Sequence, residues 1–233
     1  MSAKVDNING DLVACVVQNS RKMQWGKSPS GTVWRKRLHL VGPPESGQVT
    51  SIVRYENNAS FPAHDHPDGE EILVLDGVFS DEHGDWPAGT YLLNPEGFRH
   101  APFSKTGCEL FVKLRQYPGT SRRQLALNVK TLNWQPTGQV GESEKLLYSQ
   151  AGYQDVTRLL RWAPGAVFSD FYFQGGAELY VLDGMFEDEF GEYPSGTWLR
   201  FPKDGKVKPR TRRGCTLYCK TNGLAYLNDG ATQ

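Results

Sequence analysis

Four residues in the first half of the chain are of the types that bind a divalent metal ion: His64, His66, Glu70 and His100. His64 and His66 are two apart, so an extended strand would project both imidazoles from one face toward one point. Glu70 follows a Pro67-Asp68-Gly69 turn, from which it can add a hard oxygen donor at the start of the next strand. His100 lies beyond a second turn, Pro95-Glu96-Gly97. Three neutral imidazoles and a carboxylate leave one or two positions of an octahedron open. Such a site suits one divalent transition ion per chain, zinc(II) or iron(II), with manganese(II) and nickel(II) also compatible, and the open position could take a small-molecule ligand or substrate. Glu71 is the rival carboxylate, and strand alternation favours Glu70. His83, in the polar Asp81-Glu82-His83-Gly84-Asp85 turn, and His39, before the Gly42-Pro43-Pro44 loop, read as surface groups.

The elements that must carry these residues read as strands. The 25 Gly and 14 Pro are scattered between short runs of Val, Leu, Tyr and Phe, a pattern of many turns and little helix. Glu71 to Leu75 runs into Asp76-Gly77, a hairpin cue, with Val78 and Phe79 beginning the return strand. Thr90 to Asn94 and Glu109 to Arg115 are further strands, rich in aromatic and β-branched residues. With 38% hydrophobic residues, 233 positions can bury one large core or two small ones.

An internal repeat decides for two. Val74-Leu75-Asp76-Gly77 recurs 107 residues later as Val181-Leu182-Asp183-Gly184, and the match continues without a gap from Gly89-Thr90 (Gly196-Thr197) to Lys113 (Lys220). The unit is too long for a short solenoid repeat, so two small barrels are expected, 1–117 and 118–233, with the seam in the turn-rich stretch Tyr117 to Arg123. At the same offset the four candidate ligands become Phe171, Phe173, Ala177 and Val207, all apolar. The second repeat is therefore expected to bind no metal and to act as a structural partner, shaping the mouth of the first site or supporting a homodimer.

The spacing of these residues resembles the cupin superfamily. Its first motif is matched by His64, His66, Glu70 and Gly77, with Asn58 in place of the leading Gly, a residue that also tolerates positive φ. Its second motif is matched by Gly89, Pro95, Gly97 and His100, with Ser104 in place of a closing Asn that is not a ligand. The surrounding words, including Gly69-Glu70-Glu71, Gly107-Cys108 and Lys113-Leu114-Arg115-Gln116, resemble the ChrR-type subgroup across residues 12–227. The resemblance implies an all-β fold of two tandem cupin (double-stranded β-helix, or jelly-roll) barrels, with the four residues as metal ligands in the first. The subgroup includes the C-terminal domain of zinc-dependent anti-sigma factors and mononuclear iron dioxygenases that cleave diketone-like substrates. It therefore implies two readings, a metal-dependent sensing domain or a non-haem Fe(II) dioxygenase acting on a diketone-like or hydroxy-ketone compound, and the first is slightly favoured. The sigma-binding module of those anti-sigma factors carries a His-x3-Cys-x2-Cys signature that this chain lacks. A purely structural ion is the third reading.

Composition narrows the partners. Lys plus Arg and Asp plus Glu are equal at 26 each, so no global positive field exists to hold a nucleic-acid backbone. Arg210, Arg212 and Arg213 read as a solvated loop. No apolar run is long enough for a membrane span and no secretory leader is evident, so a cytoplasmic protein is expected, with Cys15, Cys108, Cys215 and Cys219 as reduced, buried thiols.

Overall fold

The computed structural model describes residues 6–230, and their regular structure is extended apart from two short 3-10 turns, Ser20–Lys22 and Gly223–Tyr226. No helix among the described residues is long and apolar enough to cross a membrane. The chain forms two compact units, one from residues 6–10, 23–131 and 228–230, the other from 11–22 and 132–227. Each is an all-β double-stranded β-helix.

In the first unit the main sheet runs Asp6–Ile8, Val33–Gly42, Gln48–Tyr55, Cys108–Leu114, Glu70–Asp81, Thr90–Asn94, Leu125–Asn128, antiparallel throughout. The second unit repeats this order from the second strand onward, as Glu142–Tyr148, Val156–Trp162, Cys215–Thr221, Ala177–Glu187, Thr197–Phe201 and Val16–Asn19, and Gln135–Pro136 pairs with Glu142–Tyr148 as Gly26–Lys27 does with Val33–Gly42. Alternating side chains give each unit its own core. Val33, Ile72, Val74, Phe79, Leu92 and Leu110 fill the first, Trp162, Leu179, Val181, Phe186, Leu199 and Leu217 the second. Each such side chain contributes roughly 1.5–3 kcal/mol relative to leaving it in water.

The outer strand of each sheet comes from an unexpected place. Leu125–Asn128 lies beyond the expected seam and pairs with Thr90–Asn94 in the first unit, whereas Val16–Asn19 precedes the first repeat's ligands and pairs with Thr197–Phe201 in the second. These two strands are themselves equivalent, offset by 109 rather than 107. The 109 offset also relates Trp25 to Trp134, and Trp25 is sandwiched by Lys36 and Arg54 as Trp134 is by Lys145 and Arg161.

Three local expectations need correction. Asp76-Gly77 is not a hairpin turn, because Glu70–Asp81 runs through it as one strand. Gly77 adopts φ 71° at a bulge, where the partner register shifts between Glu109 and Leu110. A Cβ there would strike the Gly107 carbonyl, so Gly serves close approach rather than reversal. The return strand is Gly84–Pro87, after the Asp81-Glu82-His83 turn. His39 is fully buried, its Nδ1 3.1 Å from the Asn9 carbonyl. Of the four free cysteines Cys15 is exposed, because it lies just ahead of an outer strand, and the other three are buried.

Candidate metal centre

Two short antiparallel strands, His64–Asp65 and Arg99–His100, put His64 directly opposite His100. Turn chemistry on either side sets this pairing. Asp68 and Gly69 adopt φ 52° and 70°, and Gly97 φ 82°, so both loops close tightly. The His66 carbonyl accepts from both Gly69 N and Gly97 N, and His66 N donates to the Phe98 carbonyl. The strand proper ends at Asp65, so His66 is aimed by this junction of turns and not by strand alternation alone. Asn58 adopts φ 60°, as its place in the motif requires.

Ligand atoms of His64, His66 and His100 all lie within 4.8 Å of one another. His66 and His100 are buried and His64 is partly exposed. Glu70, the first residue of its strand, sends Oε2 to 3.7 Å from His66 Nε2 and 3.6 Å from His100 Nε2. Those separations exceed a hydrogen bond and suit groups that share a cation. Asn94, directly across the sheet, donates to the same Glu70 oxygen at 3.0 Å. Glu71 is buried on the neighbouring position of the strand and lies outside this cluster.

The outer ring nitrogens are committed to acceptors. His64 Nδ1 lies 2.8 Å from the Pro62 carbonyl, and His100 Nδ1 lies 3.1 Å from Asp81 Oδ2. Donation to these acceptors leaves each Nε2 with a lone pair, the tautomer a metal needs. His66 Nε2 and His100 Nε2 then face each other at 2.9 Å, which demands a proton or a cation between them. Burial lowers the His66 pKa. Burial also acts to lower that of His100, but the Asp81 hydrogen bond and the Glu70 charge outweigh it and raise it. The donor set therefore fits a single divalent transition metal ion, and its identity is left open by ligands of this kind.

Asp81 was not singled out from sequence. It recurs as Asp188, so it looks like a turn residue. Its Oδ1 does hold the turn, accepting from His83 N, Gly84 N and Trp86 Nε1. Its second oxygen orients His100.

His64, His66 and Glu70 line a cavity of about 390 Å³, with Val33, Val53, Ile72, Leu110, Val112 and Leu114 among its apolar lining, whereas the fully buried His100 is not part of its wall. Phe61 lines it too, whereas Tyr91 is fully buried and Phe98 stacks edge-on to His100 at 5.5 Å. In the second unit Phe171 faces Val207 in the register of His64 and His100. Phe171 stacks on Trp162 and Phe173 on Phe201, which leaves a recess of only about 20 Å³. The second repeat thus has ring volume where the first has its donors.

No curated protein matches the sequence. Solved structures do match the fold. A candidate dioxygenase from Nostoc punctiforme superposes with a TM-score of 0.72 at 16% identity, covering 93% of this chain and 86% of that one. The Lactobacillus farciminis oxalate decarboxylase in its formate complex gives 0.64 at 11% identity (94% and 90%), and the Escherichia coli pirin YhhW bound to nickel(II) gives 0.63 at 14% identity (89% and 98%). At such identities the likeness is one of fold. The sequence profile of the ChrR Cupin-like domain matches residues 13–118 and again 122–225, so the chain belongs to that cupin family and carries its domain twice.

Proposed function

We propose that His64, His66, Glu70 and His100 hold one divalent transition metal ion and that the chain is a mononuclear non-haem Fe(II) dioxygenase of a small diketone-like or hydroxy-ketone substrate. The observation that carries this reading is the convergence of three imidazoles and a carboxylate, of which His64, His66 and Glu70 line a largely apolar 390 Å³ cavity. A metal needed only as a staple would require no such space. When bound, the ion supplies Lewis acidity and a template for two adjacent substrate oxygens. The chain supplies the rest. Asp81 fixes the His100 tautomer, Asn94 anchors the Glu70 carboxylate, and the aliphatic walls keep water from the reacting carbon chain. Solved relatives by fold include a candidate dioxygenase and a decarboxylase of a small dicarboxylate, which supports an enzyme over a staple. Family membership is what favours ligand sensing as a second reading. Nothing ties the chain to sigma-factor binding.

The test is metal analysis followed by oxygen uptake on anaerobically iron-loaded protein. Close to one ion per chain is expected, lost in His64→Ala or His100→Ala and kept in Phe173→Ala. Oxygen consumption should require a chelating diketone or hydroxy-ketone. Two ions per chain, or retention after both His substitutions, would remove the metal centre. A loaded site that binds such compounds without consuming oxygen would favour the sensor.

A further inference from the structure

We infer that Arg35 and Arg115, on the lining of the same cavity, select a substrate that carries a carboxylate in addition to its chelating oxygens. This inference rests on the metal-enzyme reading above and narrows its substrate class. Five charged side chains other than histidine line the cavity: Arg35, Arg115, Glu45, Asp65 and Glu70. Glu70 faces the histidines, and Asp65 is engaged by Arg99 at 3.1 Å. Glu45 is shared, lying 2.7 Å from Arg35 and 3.1 Å from Arg37. Arg115 has no ion pair among the described residues, and its two terminal nitrogens reach only the Gly47 and Glu45 carbonyls at 3.3 Å each. Partial burial pushes its pKa down, against the opposing charges of Asp68 and Glu45, neither of which pairs with it directly. Arg35 thus shares a single half-exposed carboxylate with Arg37, and Arg115 has none at ion-pair distance among the described residues, so a planar bidentate anion would complete the set.

The backbone supplies an independent observation. Arg115 sits at φ 60°, a left-handed conformation that a long side chain adopts only under constraint, and Asn222 takes the same position in the second repeat at φ 61°. Asn is the residue that tolerates this conformation. Arg35 corresponds to Glu144, each being the strand partner of the residue after its repeat's Trp. Both arginines are thus absent from the repeat that also lacks the four candidate ligands and the cavity. Strain kept only beside the candidate site points to use of the guanidinium.

The bland alternative is that Arg115 merely ties down the 43–47 loop. Calorimetry on the zinc(II)-loaded full chain separates the two, with succinylacetone and its methyl ester as probes sharing one diketone head. Wild type should bind succinylacetone about tenfold more tightly than the ester, the scale of one charge-assisted hydrogen-bonded pair. Arg115→Asn should abolish this preference, leave ester affinity within about twofold and keep or raise the melting temperature, because it places a tolerated residue at φ 60°. Glu45→Gln should act in the opposite direction and tighten succinylacetone by removing the competing carboxylate. Equal affinity of wild type for both probes, no binding of either, or equal weakening of both by Arg115→Asn would each overturn the carboxylate subsite while leaving the metal centre standing. Failure of the wild type to retain zinc any better than His100→Ala would sink the metal centre and this inference with it.

Discussion

Changing Asp81 to Asn removes one charge and almost no volume, yet the geometry predicts that it disables His100. Oδ1 of Asp81 receives three N–H donors, from His83, Gly84 and Trp86, at 2.9–3.2 Å. An amide placed there would keep its oxygen on those donors, which puts its NH2 where Oδ2 now accepts from His100. An NH2 cannot accept, so the imidazole is driven to carry its proton on Nε2, the atom that faces His66 and Glu70. Loss of such an orienting partner costs about 10–100-fold in metal affinity, about 1.4–2.7 kcal/mol. Competition of metal-stripped protein against a chromogenic chelator measures this, and imidazole nitrogen NMR of the metal-free variant reads the tautomer. Asp188→Asn is the matched control. Asp188 holds the equivalent turn through Phe190 N, Gly191 N and Tyr193 Oη, with no histidine behind it, so metal affinity should stay within about twofold. An Asp81→Asn variant with wild-type affinity and an Nδ1-protonated His100 would refute the reasoning.

Metal affinity should rise with pH as His100 gives up its proton. In metal-free protein its raised pKa contributes stability that is present below the ordinary value of 6.5 and is lost as pH rises through the raised value. His66, depressed mainly by burial, contributes stability present above 6.5 and lost as pH falls through its lower value. A chelator titration repeated across this range that showed no pH dependence would contradict both. Thiol labelling of the folded protein should find one accessible group, Cys15, reacting more slowly than a free thiol because partial burial raises its pKa. Burial holds Cys108 at about 11 and Cys215 and Cys219 at about 12, and these should react only on unfolding.

The resemblance to the cupin motifs makes the barrel class and the candidate donors legible, and in the structure two tight turns and a pair of short strands bring the histidines together. The loss of donors at Phe171, Phe173, Ala177 and Val207 was equally legible, since a constant offset carries one repeat onto the other. What failed were inferences from isolated dipeptides and short segments. Asp76-Gly77 resembles a hairpin cue, but its Gly permits a bulge against Gly107, a tertiary contact no local pattern reveals. The orienting role of Asp81 was hidden because both repeats carry the residue and only one places a histidine behind it. The origin of the outer strands is hidden because two residues separate the 109 and 107 offsets, so a constant offset of 107 does not bring Val16–Asn19 onto Leu125–Asn128. The Trp25 and Trp134 pair was the available signal.

The provenance of those outer strands sets an order of events during synthesis. Leu125–Asn128 follows its partner Thr90–Asn94 closely, so the first unit's main sheet can gain its outer strand soon after that stretch leaves the ribosome. Val16–Asn19 must wait for Thr197–Phe201, with Asn19 and Thr197 separated by 178 positions. Until then an early strand stays unpaired, with exposed Val13 and Val17 on or beside it, and the last ladder to form has the largest loop to close. A chain shortened by its first 22 residues would leave Thr197–Phe201 as an open edge, a template for pairing with other chains, even though every candidate metal donor would be intact.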